Sequence, residues 1–296
     1  GLDIMAIQSI DQLVAAISAG KINRYQWNKI TGGSAYAAGR WYDMSMLGGS
    51  PIANAWAGTA LNYRSCDEST GNGTQIFGMP HGGNVSAEIK HLLNMEAWST
   101  AATGVPSTLM LVDLEGYWPG ISNNTTSAQT LVGTPSPRHT NGAGLRLYWV
   151  QTSAAGATAQ NLSLSYTDQD GNTGNSLPVT VAMTASGIAG HISHSGTAAN
   201  NYGPFLPLAS GDSGVRNVAS VTFSAANTGT GALCLARPLA QISLSVAGLM
   251  TEKDLLNQIP SLPRIRDGAC LVWLLGAGAA VAASTTFAGG IESVYG

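Results

Sequence analysis

At 296 residues and 30.3 kDa the chain has length for one large domain or two, yet it carries only 13 Lys and Arg and 16 Asp and Glu. Charge is thus a tenth of the sequence, where soluble proteins average about a quarter, and a net charge of −3 without any Lys/Arg cluster argues against nucleic-acid binding. So little charge beside so much Gly, Ala, Ser, Thr and Asn points to surface hidden against neighbouring subunits; the alternative is a monomeric β-protein coated in small polar residues.

The opening residues 1–20 are apolar, but Asp3 and Asp11 interrupt them and no basic run precedes them, so a signal peptide is not expected. A helix is predicted over 9–19, where Ile10, Leu13, Val14 and Ile17 recur at helical spacing on one apolar face, Ser9 can cap and Gly20 can stop it. Residues 21–100 are irregular: Gly-rich pairs separate aromatic stretches around Trp27, Trp41, Trp56 and Tyr63, the pattern of an extended arm or a packing layer. Within it a second short helix is predicted at 86–97, from Ile89, Leu92, Leu93 and Glu96.

From residue 107 the pattern turns to β, with strands predicted at 109–114, 144–152, 161–167, 178–184, 215–224 and 231–236. Leu162, Leu164 and Tyr166 alternate with Ser163, Ser165 and Thr167, and Asp170-Gly171-Asn172 supplies the turn into a hairpin partner over 177–184. Residues 251–258 form a late helical turn, and 269–283 a strand, a Gly-rich turn and a second strand, too short an apolar run to span a bilayer. The expected fold is mainly β: an antiparallel sandwich or jelly roll at 106–296, preceded by an irregular arm with a short helix at 1–105.

The frame Pro-Arg-x-x-[Asn/Asp]-Gly-Ala-x-Leu occurs twice, from Pro137 and from Pro263, each time ahead of an aromatic, apolar strand. Pro fixes the entry and Asn/Asp-Gly takes the turn, so two pseudo-symmetric strand units are expected. Arg138 and Arg264 either pin their own loops or anchor a neighbouring subunit.

Candidate chemistry is sparse. Gly-Asp-Ser-Gly at 211–214 matches the nucleophile string of chymotrypsin-like proteases, but none of His81, His91, His139, His191 and His194 lies in that family's histidine motif, so a turn is expected around Ser213. His191 and His194 could share a metal ion but lack a third ligand nearby. Asp113 and Glu115 form a carboxylate pair side by side on one strand face, which is not the cleft-spanning arrangement of a glycosidase. Cys66, Cys234 and Cys270 are odd in number and widely spaced; buried free thiols are expected, and the spacing does not support a Cys234–Cys270 bridge.

The series LVDLEGYWPGI, TPSPRHTNGAGLRLYWV, LSLSYTDQDGNTG, GPFLPLASGDSGVRNVASVTF, ALCLARPLA and IPSLPRIRDGACLVWLL resembles, in order, virion structural proteins of tailed bacteriophages, over nearly two thirds of the chain. The resemblance implies a non-enzymatic particle protein without cofactor, metal or membrane, and a structural role for the Gly-Asp-Ser-Gly loop. An accessory capsid protein, of decoration or cement type, is the first expectation; it would bind itself, a homotrimer being the form in which such proteins usually meet capsid symmetry, and the major capsid protein. It would reside in the virion, assembled in the host bacterial cytoplasm. A tail, collar or glycan-binding host-recognition component comes second. A β-type major shell subunit is third, the chain having neither the long charged spine helix nor the extended charged loop of the usual phage shell protein. Trp27, Trp41, Trp56 and Trp118, with Arg138 and Arg264, are the candidate interface residues.

Overall fold

The computed structural model describes residues 7–135, 138–193, 203–258 and 262–296. The signal-peptide question at Asp3, the frame's Pro137 and the proposed ligand His194 lie outside them. One helix, α1 (Ile10–Ser18), precedes the strands β1 (Ile22–Ile30), β2 (Arg40–Asp43), β3 (Gly48–Ser50), β4 (Arg64–Ser65), β5 (Lys90–Ser99) and β6 (Ser107–Ser122). Then come β7 (Gln129–Thr130), β8 (Arg146–Gln151), β9 (Gln160–Asp168), β10 (Asn175–Ser176), β11 (Val181–Met183) and β12 (His191–Ile192). The last are β13 (Val215–Phe223), β14 (Thr230–Leu244), β15 (Thr251–Asp254), β16 (Arg264–Ile265), β17 (Leu271–Ala277) and β18 (Thr286–Tyr295).

The fold is mainly β and its sheets are antiparallel. Its centre is a ring of pairings, β14-β8-β12-β2-β17-β6, which closes because β6 also pairs with β14 along its whole length; β4 joins the edge of β6. Side chains of alternate residues fill the ring: Val112, Leu114, Tyr148, Val150, Cys234, Cys270, Val272 and Leu274 all point inward. Intervening residues point outward onto two covering sheets. Leu109, Leu111, Trp273 and Leu275 pack against Trp27, Leu92, Met95 and Phe287 of the sheet β15-β5-β18-β1-β3. At the other end Trp118, Leu147, Trp149 and Leu233 pack against Leu162, Leu164, Val221 and Phe223 of the sheet β10-β9-β13-β7. The long strands β6 and β14 therefore run from beneath one sheet to beneath the other.

Several expectations need correction. Residues 86–97 contain no helix: β5 occupies most of them, and its register with β18 slips at Leu93, so buried Leu92 and Met95 stand three apart and imitate a helical period. Residues 251–254 pair with β5 as a strand, and only the following turn, capped by Asp254, is helix-like. Strands predicted at 109–114 and 231–236 are far longer, because Gly116 and Pro238 stay paired in the ladder beside bulges, and another bulge takes up Pro119 and Gly120. Residues 7–100 are no separate arm or layer: β1 lies between β18 and β3, and β2 is part of the central ring. A division at 105/106 thus cuts through shared sheets.

The predicted helix forms, with Ser9 Oγ accepting from Gln12 N–H, but its orientation is not the expected one. Leu13 and Ala16 bury against Val294, while Ile10, Val14 and Ile17 remain 60, 55 and 40% exposed. The predicted hairpin is present, β9 pairing with β10 and β11, and Asp168 gathers the turn by accepting from the N–H groups of Asp170 and Asn172. The two repeat frames lead into β8 and β17, which flank β14 and β6 in corresponding places in the ring.

Candidate functional site

Strands β4 and β17 lie end to end on one edge of β6, the other edge being taken by β14. Ser65 stands opposite Gly116 and Leu271 opposite Asp113. Between them Cys66 N–H donates to Glu115 O (3.0 Å) and Leu114 N–H donates to Cys270 O (2.8 Å), so the broken strand keeps most of its ladder. Gly116 is required there, since a Cβ would lie 2.4 Å from the Arg64 carbonyl oxygen.

The break leaves backbone groups that ladder pairing cannot satisfy, and charged side chains from β6 and from the first repeat frame supply the partners. Asp113 Oδ1 accepts from Cys270 N–H at 3.0 Å. Arg138, in the first repeat frame, donates to the carbonyls of Cys66 and Leu114, and pairs with Asp113 Oδ1 at 2.9 Å and with Glu115 Oε2 at 3.4 Å. Its backbone N–H donates to Glu115 Oε1 at 3.1 Å. His139 completes the group, Nε2 standing 3.0 Å from Asp113 Oδ2. Asp113, Glu115 and His139 are all buried.

Burial and pairing pull these groups in different directions. Burial opposes ionisation of Asp113, but the Arg138 guanidinium and the His139 hydrogen bond outweigh it and hold the carboxyl below its usual range. Burial dominates at Glu115 and pushes it up to about 7, against Arg138 and with a further push from the Asp113 charge. The imidazole of His139 is lowered, chiefly by burial. Its neutral tautomer follows from its neighbours: Nε2 faces an acceptor and carries the proton, while Nδ1 faces Arg237 Nη1 at 3.5 Å.

By donor type Asp113, Glu115 and His139 match a metal site, with ligand atoms within 4.8 Å of one another. The arrangement does not fit one. Arg138 already fills the cationic position, and the protonated Nε2 has no lone pair to offer. The cluster reads as an electrostatic staple across a strand break, and its carboxylates sit side by side as the sequence spacing implied.

A pH signature follows. With Glu115 raised from 4.5 to about 7 in the fold, its contribution to stability is fully present below pH 4.5 and is lost as pH rises through 7. Glu115→Gln, whose Oε1 can still accept from Arg138, should therefore melt like the parent at pH 4.5 and about 1–3 kcal/mol more stably at pH 8. Thermal melts at the two pH values check this; an equal effect at both would refute it.

The other sequence candidates scatter. Trp27 packs on Trp273 (ring centroids 5.3 Å), Trp56 meets the edge of Tyr117 (4.7 Å), and Trp118 lies against Tyr63 (4.9 Å). All three are buried, so as interface anchors they are corrected to core residues of this chain; Trp41 is half-buried and packs against the cluster that fills the ring. Arg138 pins its own junction, whereas Arg264 is exposed on β16. Ser213 is exposed in a turn whose Ser213 and Gly214 N–H groups donate to Gln169 Oε1. The His191 ring lies tilted against Tyr42, with ring centroids 5.2 Å apart. Sequence reasoning missed the His81, Glu68 and Lys90 group: Lys90 Nζ donates to His81 Nδ1 (2.9 Å), and Glu68 accepts from the N–H groups of His81, Gly82 and Gly83. The Gly82-Gly83 pair beside a histidine was the available signal.

No protein-family model matches the chain, and no curated protein does either. Among solved structures it is weakly similar to the infectious bursal disease virus VP2 subviral particle, at 9% identity over 92% of this chain and 80% of that one, with a TM-score of 0.21. A structure of the Gt strain of the same virus gives 10% identity over 93% and 80% of the two chains, with a TM-score of 0.18. Likenesses of this size describe no shared fold and lend no support to a function.

Proposed function

We propose that this chain is a structural component of a virus particle, working by association with copies of itself and with other particle proteins and not by catalysis. One observation carries the reading: a surface with few charges also exposes large apolar side chains. Lys29, Asp43, Lys90, Asp113, Glu115 and Asp168 are buried, while eleven large apolar side chains among the described residues are exposed. The outward stripe of α1, Ile10, Val14 and Ile17, is the most regular of these apolar features and the first candidate contact. The resemblance of residues 109–296 to tailed-phage virion proteins favours a place in such a particle, and a β-rich chain with neither spine helix nor extended charged loop among its described residues favours an accessory capsid role, self-associated and seated on the major capsid protein.

Sedimentation of the purified chain across a hundredfold concentration range, with immunogold labelling of intact particles, tests both levels. Self-association and label on the shell are expected. A monomer throughout would defeat the association reading, and label confined to tail or collar would move the protein there. Val14→Glu should change the folding free energy by no more than surface substitutions do, about 0.5 kcal/mol, and shift the chain toward smaller species. Unchanged sedimentation of that variant would remove α1 from the interface.

A further inference from the structure

We propose that Cys66 and Cys270 are a disulfide-forming pair, a modification site built into the break between β4 and β17, with Cys234 left free. The two residues are 204 positions apart in sequence, yet they occupy consecutive places on one edge of β6, Cys66 bonded to Glu115 and Cys270 to Leu114. Consecutive residues of one strand would send their side chains to opposite faces. These belong to two abutting segments, and both thiols point into the ring, where they are fully buried. The Cys270 thiol is near enough to that of Cys66 to help raise it. A single residue step along β6 is about 3.8 Å between Cα atoms, and two abutting, non-bonded segments opposite it stand somewhat wider, near the roughly 4.4–6.8 Å that a disulfide bridges. Cys234 also faces the ring, but it sits on β14 across the other edge of β6, opposite Tyr117. Two strand spacings, about 10 Å, separate it from the pair.

The oxidant would be a low-molecular-weight disulfide such as oxidised glutathione. One cysteine thiolate attacks it, releasing one glutathione thiolate and leaving a mixed disulfide; the second cysteine then attacks its protein-bound sulfur and releases the other. Two protein S–H bonds lose two protons and two electrons, one S–S bond forms, and the oxidant's S–S bond is reduced to two thiols. Burial pushes the Cys66 thiol up and makes it a poor nucleophile in the closed ring, so exchange belongs to the folding chain or to transient opening of the break. The inference stands on the geometry of the break, independently of the virion reading.

The test is to refold the full chain from urea in a glutathione redox buffer and, in parallel, to hold native protein in that buffer at urea below its unfolding midpoint. Remaining thiols are alkylated and the non-reduced peptides mapped by mass spectrometry. Both arms should yield a peptide linking Cys66 to Cys270, Cys234 alkylated, and a melting temperature above that of the reduced protein. Cys234→Ser should keep the link, and Cys66→Ser or Cys270→Ser should abolish it. Three alkylated thiols in both arms, a link through Cys234, or a bonded form that melts lower than the reduced one would overturn the proposal.

Discussion

Replacing Arg138 with Met should cost about 3–5 kcal/mol of folding free energy, the loss expected when one partner of a buried ion pair is removed and the other is left uncompensated. The expectation is large because Arg138 serves four sites at once: the Asp113 and Glu115 carboxylates and the carbonyls of Cys66 and Leu114. With the guanidinium gone, Asp113 loses the charge that holds it ionised, and the backbone at the strand break loses its donors. Urea unfolding followed by tryptophan fluorescence measures the loss. Adding Asp113→Asn and Glu115→Gln to the same chain should recover part of it, since the uncompensated charges are removed together. A single-variant loss under about 1 kcal/mol would mean that Arg138 is a solvent-screened ion pair and no staple.

The second large effect is expected at Trp27. Trp27→Ala should lower the stability of the isolated chain by about 3–5 kcal/mol, the usual cost of truncating a buried aromatic side chain. Trp27 lies at the contact between β1 and the outer face of the ring, against Trp273, and is 3% exposed. An arm tryptophan would behave otherwise, weakening assembly while leaving the unfolding midpoint of the subunit alone. Denaturant unfolding at a concentration where the chain is monomeric separates the two. An unchanged midpoint there would return the residue to the interface.

The pairing of these two residues with distant partners marks the limit of what local pattern could convey. Leu162, Leu164 and Tyr166 declared their common face through strict alternation, and Asp170-Gly171-Asn172 declared the turn, because both signals are complete within a dozen residues. The same alternation in Asp113 and Glu115 put the two carboxylates on one face. Their counterion could not be read that way: Arg138 reaches them only because β4 and β17 abut on β6. Nor could the orientation of α1, whose apolar positions are numerous enough to fill two faces; the sheet β5-β18 selected Leu13 and Ala16 and left Ile10, Val14 and Ile17 outside. At β5 the local signal misled, since a bulge changes the period of burial without changing the strand.

By itself, then, the sequence determined the β class, the hairpin at β9, the helix with its Ser9 cap, and a charge content too low for an ordinary soluble surface. These are consequences of composition and short-range periodicity. Tertiary structure alone decided that β6 and β14 close a ring and span two covering sheets, that three of the four candidate interface tryptophans are core, and that Cys66, Cys270 and the charged staple meet at one break. The reason is physical: pairing across hundreds of residues is chosen by the collective burial of both partners' faces, which no single segment carries.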